Sequence, residues 1–469
     1  MLAITLRHCS ETKFICIREP ANDSRKAYSL NKMVRYIFYS LILFTLLFSG
    51  RPAVAQPTLS LEDAVRIALE NNYNIKISKN NADISRNNVS PAAAGMLPSV
   101  EAAATNSSSV QNTRQTQSDG SVRAVDKAHN WSNSYGVTLN WTIFDGFAMF
   151  AAYDQLKELR KLSDASLQTN VLSTVSDVIN SYYNLIRLQQ QLDATDTAVS
   201  ISRLRLTTAQ NRYLIGKAAK LEVLSATVDL NTDTTSLLQQ RDALRAEKIN
   251  LNKILARDVT TNFVVKDSID INGALRYEEL LELSSKQNPT IQSAFINERI
   301  AQLNLKQVKA ARYPVVGVTT GYNFARSHSE LGFARQSRQQ GLTYGISASV
   351  NIFNGFLQRK NEKNAEIQVD NAHLDLERLK QEVNAQLLTA YHTYQTNLEL
   401  VKLEASNQNV AKQNMEITLA KFRLGSITPV EFREAQRNYL DASVRYTEAQ
   451  YQAKIAEIAL KELTGKITL

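Results

Sequence analysis

Two carboxylates, Glu431 and Glu434, stand three residues apart just after the break Gly425-Ser426-Ile427-Thr428-Pro429. That spacing puts both on one face of the helix that follows. Such a pair attracts cations, and crowded carboxylates raise one another's proton affinity; on an isolated helix the same pair is an ordinary solvated face. A related break at Gly216 is followed by Glu222 and, three residues on, by Ser225, so the two places are similar but not equivalent. Four cations, Lys217, Lys220, Arg423 and Arg433, lie close by.

Other chemistry is sparse. His129 and His328 fall in polar stretches, and His373 and His392 are 19 residues apart on a helical pattern, so none has metal-ligand spacing. No Ser-His-Asp set, phosphate loop or dinucleotide glycine motif occurs. The residues point to no enzyme, no metal and no cofactor. Both cysteines, Cys9 and Cys16, precede a leader-like stretch, which leaves the rest without a disulfide or thiolate site. The formal charge of +9 is concentrated at the front; beyond residue 55 it is +4, with no basic aromatic stripe to suit nucleic acid.

The elements that must position the carboxylates are long. Between Gly146 and Gly216 lie 69 residues without Gly or Pro, and between Gly355 and Gly425 another 69. Lacking these breakers, each stretch predicts a helix of roughly 100 Å. Leu167, Val171, Val175, Val178, Tyr182, Leu185, Leu188 and Leu192 form one apolar stripe at spacings of three and four, and Leu376, Leu379, Val383, Leu387, Tyr391, Tyr394, Leu398 and Val401 form another. The remaining faces are polar, so these helices bury a seam against other helices and do not span lipid.

The two stretches belong to an internal repeat. Ile143-Phe144-Asp145-Gly146-Phe147 recurs as Ile352-Phe353-Asn354-Gly355-Phe356, and Tyr213…Gly216 recurs as Phe422…Gly425, both at an offset of 209. Upstream, Asn72 and Ile75 match Asn288 and Ile291 at an offset of 216, which makes one loop of the first copy seven residues longer. A repeat this large means two equivalent units rather than a solenoid.

The front end reads as a secretory leader: Met33-Val34-Arg35 is basic, 36–48 is apolar, and Ala53-Val54-Ala55 is a cleavage site. Residues 1–32 fit no part of it, so Met33 is the expected start. The expected division is 1–55 leader and extension, 56–257 first repeat, 258–274 polar linker with a short strand near Phe263-Val264-Val265, and 275–469 second repeat. Each repeat should open with a helix, 60–92 and 276–311. Alternating strands follow. Val137, Leu139, Trp141 and Ile143 share one face in the first copy; Val316 and Val318, then Ile346, Ala348, Val350 and Ile352, do so in the second. Small polar residues occupy the other face. Polar loops are expected at 106–133 and 326–341, and returning helices at 221–256 and 430–464.

Four strands of about ten residues, apolar on one side, match transmembrane barrel strands, although a half-buried soluble sheet alternates in the same way. Four cannot close a barrel, and three chains would supply twelve.

This order, with an aromatic, two residues, Gly, and then apolar-Glu-apolar at each tip, resembles the TolC family of outer-membrane efflux proteins across 56–469. The tip pattern stands as Tyr213…Gly216…Leu221-Glu222-Val223 and Phe422…Gly425…Val430-Glu431-Phe432. The resemblance implies a mainly α fold with a β-barrel contribution. It implies a homotrimer with a twelve-stranded barrel in outer-membrane lipid and an α-helical tunnel across the periplasm. The tunnel would close at the tips around Gly216, Gly425 and Pro429 and open on docking to a periplasmic adaptor and an inner-membrane transporter of RND or ABC type. It also implies that Glu431 and Glu434, with Glu222, line the narrowest point. One departure stands out: the family's Arg and Tyr latch positions hold Ile427 and Phe422 here; Lys217, Lys220, Arg423 and Arg433 are near enough to substitute, but a solvated place is the expectation for them. The expected function is a passive exit duct for efflux or type I secretion. The alternative is a trimeric surface adhesin with a barrel anchor, and the internal repeat argues against it.

Overall fold

The computed structural model describes residues 58–265, 268–271, 273–330 and 334–467; the leader lies outside them. In chain order the elements are α1 (Leu61–Asn71), α2 (Tyr73–Asn88), β1 (Ser99–Thr116), β2 (Val122–Asp145), α3 (Ala148–Leu214) and α4 (Lys220–Ile254). The second copy follows as α5 (Tyr277–Gln287), α6 (Pro289–Ala310), β3 (Val315–His328), β4 (Gln336–Ser349), α7 (Leu357–Arg423) and α8 (Pro429–Leu463). The long helices α3 and α7 have 67 residues each. None of the described helices is long and apolar enough to cross a membrane.

Each opening helix is two helices, not the single one expected over 60–92 and 276–311. The break falls at the repeated asparagine. Asn72 leaves helical geometry at ψ 129°, and its side-chain oxygen accepts from the backbone N–H of Asn74 and Ile75. Its amide nitrogen donates to the carbonyl of Ile254, the last residue of α4, at 2.8 Å. Asn288 does the same with Thr290, Ile291 and, at 2.9 Å, Leu463. Here Pro289 also excludes its predecessor from helical geometry. The periodicity runs through these caps because the apolar stripe does. The asparagines therefore butt the start of α2 against the end of α4, and the start of α6 against the end of α8.

The sheet is antiparallel in the order β1-β2-β3-β4, with β1 and β4 as open edges. The helices that adjoin these strands pack in the same order: α2 on α3, α3 on α6, and α6 on α7. Toward the tips the order is α4, α3, α8, α7. The sheet and the described helices thus form a layer four elements wide.

The strands correct the expected loops and lengths. They run 18, 24, 14 and 14 residues, and most of 106–133 is a β1–β2 ribbon that turns at Gly120. Polar composition concealed it. A ribbon wet on both faces needs no apolar alternation, because backbone pairing alone satisfies it. The 326–341 stretch likewise holds the ends of β3 and β4.

Val350 and Ile352 lie beyond β4, whose last residue is Ser349. Between Thr142 and Phe144 the register slips by one, so Ile143 is an unpaired bulge residue and Phe144 stands opposite Val316. The mainly apolar rows that share one face are therefore Val100–Leu139–Thr320–Tyr344, Ala102–Val137–Tyr322–Leu342, Trp141–Val318–Ile346 and Phe144–Val316–Ala348.

The expected linker packs into the main core. Phe263, Val265 and Ile269 join Val178, Tyr182 and Leu185 of α3, Leu251 of α4 and Val65 of α1. Val264 pairs in parallel with Thr58, and the buried Asn252 donates to the carbonyls of Val259 and Thr261.

Strand turns into long helix through two consecutive left-handed residues, Gly146-Phe147 and Gly355-Phe356. Asp145 and Asn354 then accept the backbone N–H four residues on, at 2.8 and 3.2 Å. A Cβ at Gly146 would meet the carbonyl oxygen of Ala310 at 2.3 Å, whereas Gly355 has open space. Both substitutions to alanine should cost about 1–2 kcal/mol for the left-handed backbone, and Gly146→Ala clearly more than Gly355→Ala; comparative thermal unfolding checks this. A second expectation concerns Arg312, just before β3, which grips Glu362 near the start of α7. That hydrogen-bonded ion pair holds the Glu362 carboxyl below its ordinary value. A depressed carboxylate stabilises above its unfolded pKa and loses that contribution as pH falls through the folded one. Glu362→Gln should therefore lower the melting temperature at neutral pH, with the difference from wild type vanishing in strong acid.

Candidate functional site

The two tips are built alike. α3 and α7 each end on a glycine of positive φ, 72° at Gly216 and 76° at Gly425. The residue after it donates five back, Lys217 to Arg212 and Ser426 to Lys421, which closes the orphan carbonyls of the last turn. The restart differs. Thr428 and Glu431 form a full capping box at the start of α8, with Pro429 as its first helical residue, while Ala219 caps α4 with no side-chain bond.

Glu431 is thereby part of the cap itself, since its carboxylate accepts from the backbone N–H of Thr428 at 3.2 Å. Glu431 and Glu434 are both exposed, on the face of α8 opposite the buried Phe432, Ala435 and Gln436. Glu222 is placed elsewhere. It is half-buried and paired with Arg212 of its own tip at 3.3 Å.

The tips also differ in height. α8 runs antiparallel to α3, with Gln436 against Ala198 and Ser202 and Glu448 against Arg187. This register stops the second tip about eight residues, or roughly 12 Å, short of the first. Glu222 and the Glu431/Glu434 pair therefore occupy different levels of one chain.

The aromatics of the two tips part company as well. Phe422 is buried and stacks on Phe432 with centroids 4.9 Å apart, so the second hairpin is closed by apolar packing across its tip. Tyr213 stays 45% exposed.

Of the four candidate cations, Lys217, Lys220 and Arg423 are exposed, and Arg433 is drawn inward. Its guanidinium reaches from α8 over α3 to α4, donating to both oxygens of Asp233 at 2.7 and 2.8 Å. Asp229 lies 3.5 Å away. The hydrogen bonds to Asp233 hold Arg433 firmly protonated, against the opposing effect of burial. Around this fork, Ser202 bonds Asp233 at 2.5 Å, Gln436 bonds Ser202, and the buried Arg205 pairs with Asp229 at 2.7 Å.

Sequence reasoning missed this cluster, because Arg433 lies about 200 positions from Asp229 and Asp233. The available signal was two carboxylates at i, i+4 on the mainly apolar side of α4. Physically the cluster bolts the second helical hairpin to the first near its tip. Among the described residues no group of three His, Cys, Asp or Glu side chains is arranged to hold a metal.

The fold is that of known outer-membrane channels. It superposes on the Campylobacter jejuni CmeC outer membrane channel with a TM-score of 0.71 at 16% identity, covering 89% of this chain and 90% of that one. For the open state of the Neisseria gonorrhoeae MtrE outer membrane channel the TM-score is 0.64 at 17% identity, covering 87% and 89%. The sequence profile of the outer membrane efflux protein family matches residues 64–257 and 280–466, so the chain belongs to that family of outer-membrane proteins. Among curated relatives, the outer membrane efflux protein BepC of Brucella suis is 20% identical over 91% of this chain and 90% of its own length. The proteases secretion protein PrtF of Dickeya chrysanthemi is 18% identical over 91% and 92%.

Arg433→Met and Asp233→Asn should each destabilise the protein by about 2 kcal/mol, since each strands a charged partner. The double variant should cost well under the sum. Denaturant titration of the four proteins checks this, and additive costs would mean that the fork couples nothing.

Proposed function

We propose that three copies of this chain form a passive exit duct, a twelve-stranded barrel in the outer membrane continued by a helical tunnel through the periplasm. One observation carries this reading: the layer has matching raw edges along its whole length. In the sheet these are the unpaired sides of β1 and β4. In the tunnel they are α4, with Leu221, Leu224, Val228, Leu238 and Ile249 exposed, and α7, with Ile367, Leu374, Leu403, Val410 and Ile417 exposed. The β1 edge continues into α2 and α4, and the β4 edge continues into α7. One rotation therefore joins β4 to the next β1 and α7 to the next α4, a head-to-tail contact that closes as a ring.

Lipid requires that closure, because no unpaired sheet edge is tolerated in hydrocarbon. The outward rows through Val137, Leu139, Trp141, Val316, Val318, Ile346 and Ala348 then face the acyl chains, and Gly136, Thr138, Asn140 and Thr142 face the lumen. Helices of about 100 Å reach from one membrane toward the other. In the ring, Glu431 and Glu434 supply six carboxylates at the second tip, a cation-selective constriction, with Glu222 at a separate, neutralised level. The Arg433 fork takes the place of the absent Arg/Tyr latch. The duct serves a periplasmic adaptor and an inner-membrane transporter of RND or ABC type, and its cargo is small molecules or proteins. The relatives' names span both cargoes, efflux for one and protease secretion for another. The repeats act as equivalent units, 56–257 and 275–469.

Planar-bilayer recordings test this. Wild type should conduct with cation selectivity and be blocked by divalent cations, and Glu431→Gln/Glu434→Gln should lose both properties while Glu222→Gln keeps them. Equal behaviour of wild type and the double variant would remove the constriction from α8. A folded, inserted protein that never conducts would overturn the duct.

A further inference from the structure

The outer end of the sheet carries an arrangement that the duct does not use. Arg326 on β3 stands directly opposite Arg338 on β4, and the row continues through Asn133 on β2 to Asn106 on β1. By strand alternation this row shares a face with Tyr322, Phe324, Val137 and Tyr135. Like charges directly opposite on a sheet repel, and among the described residues no carboxylate lies within ion-pair distance of either guanidinium. Both arginines are exposed, and the nearest carboxylate in sequence, Glu330, belongs to the hairpin loop beyond the strand. The side-chain oxygen of Asn133 is buried without a hydrogen-bond partner.

Stacked rings flank the arginine row on both sides. On one side Tyr135 and Phe324 are 5.0 Å apart; on the other Trp131 and His328 are 6.1 Å apart.

The height of this row is set by the rest of the face. All the helices leave from one end of the sheet and the two hairpins lie at the other, so the hairpin end faces outside. From Phe144 to Tyr135 is about 30 Å along β2 at ordinary strand rise, or roughly 23 Å across the membrane at a barrel tilt of about 40°. That matches an apolar band of about 25 Å between aromatic girdles. The arginines begin one row above it, at the headgroups of the outer leaflet.

We propose that Arg326 and Arg338 form a docking site for the phosphate of a phosphorylated glycolipid of the outer leaflet. Two adjacent planar guanidiniums bind one phosphate through paired N–H···O bonds, and the flanking rings pack the sugar and the upper acyl chains. The anion removes the repulsion that the bare chain leaves. The proposal rests on the reading of this face as lipid-facing, and it adds a specific lipid partner.

The two tryptophans of the chain, Trp131 and Trp141, make it testable on the full-length protein. In a Trp141→Phe background, Trp131 emission is followed as bisphosphorylated lipid A, dephosphorylated lipid A or phosphatidylglycerol is added to protein in phosphatidylcholine vesicles. Bisphosphorylated lipid A should shift the emission at a concentration roughly tenfold or more below the other two lipids. Arg326→Gln/Arg338→Gln should abolish that preference, and Arg326→Lys/Arg338→Lys should retain part of it.

An unchanged response in the Gln variant overturns the site. Equal responses to bisphosphorylated lipid A and phosphatidylglycerol overturn the glycolipid assignment, leaving general attraction to anions. A separate variant, Val137→Trp with Trp131 and Trp141 both replaced by Phe, reports the face itself. Quenching by acyl-brominated phospholipid supports the lipid-facing reading, and absence of quenching overturns that reading together with the site.

Discussion

Backbone hydrogen bonding is the constraint on which this architecture depends. A four-stranded antiparallel sheet leaves unpaired N–H and C=O groups along β1 and β4, and a lipid environment offers them no partner. The same layer order persists through the helices, where the cost changes from unpaired backbone to exposed leucine, isoleucine and valine on α4 and α7. In the proposed ring, sheet and helices therefore take the same neighbour, and the two asparagine bolts keep them in one layer. Asn72 and Asn288 each cap one helix with the side-chain oxygen and hold the end of another with the nitrogen. In this way short and long helices stack end to end without a gap in polar satisfaction.

At the far end, local sequence makes two similar tips with different strengths. The second has a threonine cap, a proline at the first helical position, a reciprocal glutamate and a buried phenylalanine stack. The first has a glycine stop and an arginine–glutamate pair. The difference in height follows from register, since α8 is anchored to α3 by Gln436 and Glu448 and must stop short. The Arg433 fork then ties the better-capped hairpin to the first one. In a duct that opens by separating these hairpins, this contact is among those that must break, and its charges are largely buried, so breaking it requires resolvation rather than simple sliding.

The hairpin half of the sheet follows another logic. On the face that carries Val137 and Tyr322 the rows change from aliphatic to aromatic to cationic within three steps of the strand. In the duct reading that gradient is what a membrane interface imposes, and the polar ribbon beyond it is freed from any apolar alternation. This ribbon was invisible as strand in the sequence for that reason: its residues carry no period when both faces are wet.

The sequence by itself determined the repeat, the breaker-free helices and the glycine tips, because each is written in local spacing. It also exposed the Glu431/Glu434 pair, which needs only i, i+3 geometry. Three-dimensional packing supplied the distant carbonyls, Ile254 and Leu463, that fix the breaks at Asn72 and Asn288, although Pro289 marks the second one locally. It decided the bulge at Ile143, which exists only relative to Val316. It separated Glu222 from Glu431, because height depends on interhelical register, and it assembled Arg205, Asp229, Asp233 and Arg433. Spacing along the chain reports what a residue can do on its own element, whereas charge pairing between elements depends on distances that no periodicity records.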